Sequence, residues 1–357
     1  MKYCTKCVTP DTRPRLEFDE SGTCNACLWH QKKQTEINWE AKQDELARIC
    51  DRFRKRDSFD CICPCSGGKD GSYVALRLRD DFGMHPLCVT FAPPLPTDIG
   101  KKNLEAFKQS GFDHLYISPN PKLYRRMCHD FFLKQGRPKW PFVMGIASAI
   151  LQVANRFDIS LIIYGEQGEI EYGGKQATET LKKIDRDYLI NIYWEGNDPS
   201  EYGSWWRLIS NLGDKYVTWW SLFEDWNPEH HAKIAFERCG FEGLPYDSIG
   251  TFTNYAQLDD KLQDLHAYMM FVKFGFGRCT SDASIAIRRG AITREEGVRL
   301  VNQLDGIFPL EYLDTYCDYL GVTEKQFWET VDKYVNYSIL CKTNNSNKPY
   351  QLKEKCI

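Results

Sequence analysis

The stretch Cys61-Ile-Cys-Pro-Cys-Ser-Gly-Gly-Lys-Asp-Gly-Ser-Tyr73 sets three cysteines at alternate positions ahead of a glycine turn carrying a lysine and an aspartate. Alternate side chains of a strand point to opposite faces, so Cys61, Cys63 and Cys65 share one side of a strand over residues 59–63 and its exit. Spread along a strand, these thiols do not converge on one point. They suit packing under a helix, and Cys65, nearest the turn, also keeps a functional reading. Ser66-Gly-Gly-Lys-Asp70 then opens directly into a helix. A helix start offers unpaired N–H groups and a positive dipole end to an anion, and glycines let the backbone approach phosphate oxygens closely. Ser66, Gly67, Gly68, Lys69, Asp70, Gly71 and Ser72 are therefore the candidate phosphate contacts. Lys69 can neutralise charge and Asp70 can hold magnesium. The lysine follows the glycines too soon for a G-x4-G-K-[ST] loop, and the spacing is not G-x-G-x-x-G.

Working outward, short apolar runs alternate with amphipathic ones. Residues 59–63, 86–91, 114–117 and 159–164 read as strands, and residues 72–81, 99–110, 123–134 and 142–157 as helices. That order predicts an α/β fold, a parallel sheet with helices on both faces. Such sheets bind ligands at the carboxyl ends of their strands. The strand at 159–164 runs into Gly165-Glu-Gln-Gly-Glu-Ile-Glu-Tyr-Gly-Gly174. Glu166, Glu169 and Glu171 repel one another unless a cation or a basic substrate group sits among them. A solvated acidic turn is the plain reading; at a strand end among glycines, magnesium binding together with Asp70 is the functional one.

Ahead of this region, Cys4-Thr-Lys-Cys7 and Cys24-Asn-Ala-Cys27 form two C-x2-C knuckles. The spacing predicts a tetrahedral structural zinc held by Cys4, Cys7, Cys24 and Cys27. Pro10, Pro14 and Asp19-Glu-Ser-Gly22 between them suit a ribbon stapled by the metal. An amphipathic helix over 36–56 is expected to join ribbon and main domain.

A chain of 357 residues, 42% hydrophobic, reads as one large domain with accessory segments. Its apolar runs are far shorter than the roughly 20 residues that cross a bilayer. The N-terminus lacks a secretory apolar core, and a cytoplasmic protein without membrane contact is expected. Fifteen cysteines then read as thiols or metal ligands. A net charge of -3 with mixed signs gives no global field for nucleic acid, which is an unexpected partner.

Residues 188–226 are dense in aromatics, and the region from residue 246 is mainly helical in pattern. Trp194, Trp205, Trp206, Trp219, Trp220 and Trp226 suit packing or partner contact, with sugar stacking as the other use. Residues 254–274 read as one long helix. In Arg278-Cys-Thr-Ser-Asp282, Arg278 can grip a carboxylate or phosphate, with Asp282 beside it; Thr280, Ser281 or Asp282 can equally cap a helix. Thr293-Arg-Glu-Glu296 reads as a capping box, residues 324–337 as a helix, and the chain from Lys342 as a loose polar tail. The expected division is a ribbon at 1–35, a linking helix at 36–57, a nucleotide domain at 58–245, a helical region at 246–341 and the tail at 342–357.

The loop Ser66-Gly-Gly-Lys-Asp-Gly-Ser72 resembles the S-G-G-x-D-S loop of the PP-loop ATP pyrophosphatases, a HUP-like fold. One departure is Gly71 where that pattern has serine. Together with the knuckles, the 165–174 segment and Phe274-Gly-Phe-Gly-Arg-Cys-Thr-Ser-Asp-Ala-Ser284, the chain resembles the N-acetyl sugar amidotransferases of lipopolysaccharide B-band and pseudaminic acid type. The resemblance implies an enzyme that uses ATP and Mg2+ to adenylate the acetamido oxygen of a surface-glycan sugar, with ammonia then giving an acetamidino group. It implies catalytic roles for Lys69, Asp70, Glu166 and Glu171, magnesium on Asp70 with Glu171 or Glu166, and sugar contacts from Glu169, Arg278 and Asp282. Lys2 excludes a glutaminase of the N-terminal-cysteine type, so a separate glutaminase with a cyclase-like barrel subunit is the expected ammonia source. Two rivals stand beside it. A tRNA-thiolating PP-loop enzyme would need cysteines such as Cys65, Cys128 or Cys279 near ATP. A zinc-ribbon scaffold without catalysis has Gly71 as its hint.

Overall fold

The computed structural model describes residues 1–174, 180–184, 186–194, 203, 205–208, 213–256 and 258–356. Strands β1 (Cys61–Pro64), β2 (Pro86–Phe91), β3 (His114–Ile117), β4 (Leu161–Tyr164), β5 (Lys182–Lys183) and β6 (Tyr216–Trp219) form one sheet in the order β3-β2-β1-β4-β6-β5. All pairings are parallel except β5 on β6. Register is set by Cys63 beside Cys88 and by Ile62 beside both Leu87 and Ile162. Strand order reverses between β1 and β4, where connections leave in opposite directions and a crevice opens at the carboxyl ends.

The strand cysteines pack as their alternation requires. Cys61, Cys63 and Cys65 lie on the face that buries Val74 and Leu78, whereas Ile62 belongs to the core on the other face. The first face is covered by α2 (Trp39–Phe53), α3 (Lys69–Asp80) and α4 (Asp98–Lys108), the second by α5 (Pro121–Gln135) and α6 (Trp140–Arg156). Each fully buried aliphatic such as Val74 or Leu78 contributes roughly 1.5–3 kcal/mol of transfer free energy. Cys65 is buried, and burial pushes its thiol up.

Around this sheet lie α1 (Asn25–Thr35), α7 (Gly168–Tyr172), α8 (Arg186–Leu189), α9 (Pro228–Cys239), α10 (Lys261–Phe274), α11 (Arg278–Arg288), α12 (Arg294–Leu304), α13 (Leu313–Leu320) and α14 (Glu324–Tyr334). Helices α10, α13 and α14 pack onto the α5 and α6 side through Met269, Tyr316 and Phe327. No helix among the described residues is long and apolar enough to cross a membrane.

Several expected elements differ. Helix α3 starts at Lys69 rather than residue 72, which places Lys69 and Asp70 in its first turn. The second knuckle opens straight into α1, so α2 is a separate, shorter helix than expected over 36–56. The long helix expected from residue 254 begins only at Lys261, because Asp260 caps it and the preceding chain bonds along the segment before α4 instead. Thr97 N donates to Asp259 O, and Lys261 N to Leu95 O. Helix α14 stops at Tyr334, and α12 is capped by Thr293 accepting from Glu296 N. The tail from Lys342 is not loose: β7 (Leu340–Lys342) pairs with β8 (Tyr350–Leu352), and Tyr350 is buried with its hydroxyl on Asp332. Trp194, Trp206 and Trp220 are fully buried, so packing accounts for them; residues 195–202, 204 and 209–212 of that aromatic stretch lie outside the described residues.

Candidate active site

Gly67 takes φ 78°, and a Cβ there would stand 2.5 Å from Leu104 Cα, so α4 backs the turn and only glycine fits. Gly68 is the N-cap of α3, and no side chain caps this helix start. A helix start of this kind leaves its leading N–H groups without intrahelical partners, a setting that suits an anion. A Cβ on Gly71 would meet Cys65 Cα and Sγ at 3.0 Å, which explains the departure at this position: the Cys65 thiol fills the space a serine would need. Ser72 is fully buried, with its hydroxyl 4.0 Å from Cys65 Sγ. It is turned into the core, and Ser66 is the hydroxyl that lines the crevice.

Asp70 is held from two sides. Lys69 Nζ donates to Oδ2 at 2.5 Å, and His231 Nδ1 to Oδ1 at 3.0 Å. His231 arrives on α9, fully buried between the stacked Tyr73 ring at 4.1 Å and the edge-on Trp226 ring at 4.2 Å. Its Nε2 has no hydrogen-bond partner among the described residues. Burial raises the Asp70 carboxyl, but Lys69 and His231 outweigh it and bring it down to about 2. At the end of β4, a Cβ on Gly165 would lie 3.7 Å from Asp70 Cβ, so this strand end meets the first turn of α3. Burial first, and then the Asp70 charge, push Glu166 up to about 7.

Two cavities share this wall. One of about 270 Å3 is lined by Lys69, Asp70, Glu166, Tyr172 and Arg278. The other, about 170 Å3, is lined by Ser66, Gly68, Gly71 and Asn103, and the two share Lys69, Asp70, Tyr255 and Asp259. Lys69 Nζ sits 5.6 Å over the Tyr255 ring. Arg278 makes a fork to Asp282, Nε to Oδ2 at 3.0 Å and Nη2 to Oδ1 at 2.9 Å, and Thr251 Oγ1 donates to Asp282 at 2.6 Å. Neither Thr280, Ser281 nor Asp282 caps α11. Gly277 is its N-cap, and Asp305 accepts from Gly277 N and Thr280 Oγ1.

The acidic trio at 166–171 is divided. Glu169 and Glu171 lie on α7, two residues or about 200° apart around the helix, whereas Glu166 precedes the N-cap Gln167. Glu171 is buried against Lys33 Nζ at 3.0 Å and Trp29 Nε1 at 3.3 Å, on α1. Glu169 pairs with Arg15 Nη1 at 2.8 Å. Glu171 is therefore turned to Lys33 rather than to the crevice, and Glu166 is the glutamate of the trio that lines it with Asp70. Asp70 and Glu166 fit a divalent cation: two oxygen donors of like charge face one buried crevice, a repulsion that a hard cation relieves. His231, Tyr73 and Tyr255 escaped sequence reasoning as site residues, and Trp226 was read only as one of the aromatics suited to packing, partner contact or sugar stacking. The pair His230-His231 behind Asn227-Pro228 was the one visible signal.

The four knuckle sulfurs are buried and lie within 4.8 Å of one another. Lys6 N, Cys7 N and Cys24 N point at Cys4 Sγ at 3.4, 3.5 and 3.3 Å, a setting that favours thiolate. The sites fit zinc. The module is docked by Thr9 on Ser284 at 2.9 Å and by Arg294, whose guanidinium donates to Cys4 O and Cys7 O.

Residues 249–355 match the family model described as LPS biosynthesis protein WbpG-like, C-terminal domain. The matched segment supplies Tyr255, Arg278 and Asp282 to the crevice. No curated protein matches the chain.

Proposed function

We propose that this chain is an ATP-dependent enzyme of lipopolysaccharide biosynthesis that converts a sugar acetamido group into an acetamidino group. The observation that carries the reading is the meeting of the Ser66–Asp70 turn and Glu166 at the β1/β4 reversal, in a crevice walled by the WbpG-like segment. The acetamido oxygen attacks the α-phosphorus of ATP, forming an O-adenylated imidate and breaking the bond to pyrophosphate. Ammonia adds to the imidate carbon, AMP leaves with the former amide oxygen, and one proton is released with the amidine. The uncapped N–H groups at the start of α3 and the Lys69 ammonium stabilise charge on the departing pyrophosphate. Asp70 and Glu166 would hold magnesium, which supplies neutralisation of the phosphate oxygens when bound. His231 fixes the Asp70 carboxylate, and Arg278, locked by Asp282, presents a rigid cation to the sugar side. Ammonia comes from a partner glutaminase, with a cyclase-like barrel subunit as its companion.

Cysteine positions disfavour thiolation of tRNA. Cys65, Cys128 and Cys279 are all buried, and burial pushes each thiol up, away from the thiolate that sulfur transfer uses. The deciding experiment is pyrophosphate release from ATP with ammonium and a panel of acetamido sugars. Release that depends on both, with a product one mass unit lighter than the sugar, supports the reading; release that instead requires tRNA and a sulfur donor sinks it.

A further inference from the structure

Among the described residues, four cations line the crevice cavity of about 270 Å3: Lys69, Arg278, Arg289 and Lys139. Lys69 is committed to Asp70, and Arg278 to its fork on Asp282. Arg289 donates to Trp226 O at 3.0 Å, and its side chain is partly exposed, so water serves its other N–H groups. Lys139 differs. It is 7% exposed, and of the three donors an ammonium carries, one is engaged, on Gln263 Oε1. The carboxylate paired with it, Asp260 Oδ2, lies at 3.6 Å, beyond hydrogen-bond reach, and that oxygen has no hydrogen-bond partner among the described residues. A buried ammonium with idle donors is costly to hold unless a ligand engages them. Lys69 opens α3 on one face of the sheet and Lys139 precedes α6 on the other, so the two ammoniums reach one cavity from elements on opposite faces. Lys139 and Gln263 also line a neighbouring cavity of about 300 Å3, walled mostly by apolar groups from Phe142, Val143, Ile146 and Ala147. Its volume is at the small end of ligand pockets. With the pyrophosphate end of ATP at the Ser66–Asp70 turn and the nucleoside in this apolar space, the α-phosphorus that joins them falls beside Lys139.

We propose that Lys139 is a catalytic residue of the crevice, its ammonium donating to the α-phosphoryl oxygens of ATP while Lys69 and the start of α3 hold the pyrophosphate. The inference rests on the adenylation reading and adds a residue to it. Charge gathers on the α-phosphoryl oxygens as the acetamido oxygen attacks, and again when AMP departs after ammonia has added. One fixed ammonium serves both moments. Lys139 keeps its proton throughout, so the balance of bonds and protons given above is unchanged. Before the nucleotide arrives, Asp260 at 3.6 Å holds the ammonium in place without occupying its donors.

Calorimetric titration of the zinc-loaded full chain with AMP and, separately, with pyrophosphate, each with magnesium present, tests the assignment. Lys139→Gln is expected to weaken AMP binding about tenfold or more, the scale of a hydrogen bond to a charged group, and to leave pyrophosphate binding unchanged. Lys69→Gln should weaken pyrophosphate instead, and Lys139→Arg should recover much of the AMP affinity. A merely structural role for Lys139 would weaken both probes together. Should Lys139→Gln fail to fold, the double variant Lys139→Gln with Asp260→Asn leaves no unpaired buried carboxylate and decides in its place. Unaltered AMP affinity without Lys139, equal losses for the two probes, or AMP failing to bind a wild-type chain that takes up pyrophosphate overturns the assignment and leaves the adenylation reading standing. A wild-type chain that binds neither probe at millimolar concentration removes that reading, and the assignment falls with it.

Discussion

His231 donates from Nδ1 to Asp70 Oδ1 across 3.0 Å, tying α9 to the first turn of α3 from a position 161 residues away. A hydrogen bond to a charged group is worth roughly 1.5–3 kcal/mol. Replacing His231 by Ala is expected to lower ATP turnover about tenfold to a hundredfold on that scale and to raise the magnesium concentration needed for half-maximal rate. His231→Asn, which retains a donor, should recover part of the loss. Equal magnesium requirement in all three proteins would remove the positioning role.

Asp70→Ala and Glu166→Gln separate the two carboxylates. Both should abolish or severely reduce AMP formation while leaving the far-ultraviolet spectrum and zinc content unchanged. Glu171→Gln behaves differently: it breaks the buried pair with Lys33, leaving that ammonium only Asp225 at 3.2 Å, and should lower the melting temperature. A Glu171 variant as stable as wild type but inactive would restore Glu171 to the crevice.

Gly71→Ser is expected to destabilise the fold by roughly 1–3 kcal/mol, the usual cost of overpacking, because its Cβ meets Cys65 at 3.0 Å. Adding Cys65→Ala should return part of that stability. Denaturant unfolding of the two single variants and the double variant checks the coupling, and simple additivity would mean the contact is not the cause.

Cys24→Ser removes a knuckle ligand and should release the metal, measured as zinc per chain, with loss of protection from proteolysis across residues 1–35. Full zinc retention would refute the four-sulfur shell.

Burial and Asp260 push the Asp264 carboxyl up to about 8, against roughly 3.9 in an unfolded chain. Between those values the folded state holds the extra proton, so this group's contribution to stability falls as pH rises from about 4 to about 8. Asp260, raised to about 6 by burial, acts in the same direction over a narrower window. Asp264→Asn should flatten the fall. Unfolding free energies at acid and mildly alkaline pH are the check, and parallel profiles for the two proteins would contradict the assignment.

The strand, turn and helix around Ser66 were legible because each carries its own local signature: alternation, glycines at a tight approach, then helical periodicity. The four-cysteine cluster was legible from spacing alone. What escaped depends on partners far apart in the chain. Glu171 reads as a crevice acid until Lys33, 138 residues earlier, is seen to take its charge. His231 carries no pattern of its own, and only the packing of α9 on α3 brings it to Asp70. The loop before α10 was misread as helix because Leu258 and Leu262 continue the stripe of Leu265, Met269 and Val272, while Asp260 and the pairing with Leu95 and Thr97 decided otherwise. Gly71 was an anomaly of the motif until its neighbour was known.

The Lys33–Glu171 contact gives the cysteine module leverage over the crevice. Glu171 is anchored to α1, the helix that Cys24 and Cys27 begin, and Glu166 lies five residues upstream on the same short segment. Loss of the knuckle cluster is therefore expected to loosen the segment that carries Glu166, although the cysteines themselves stand outside the crevice.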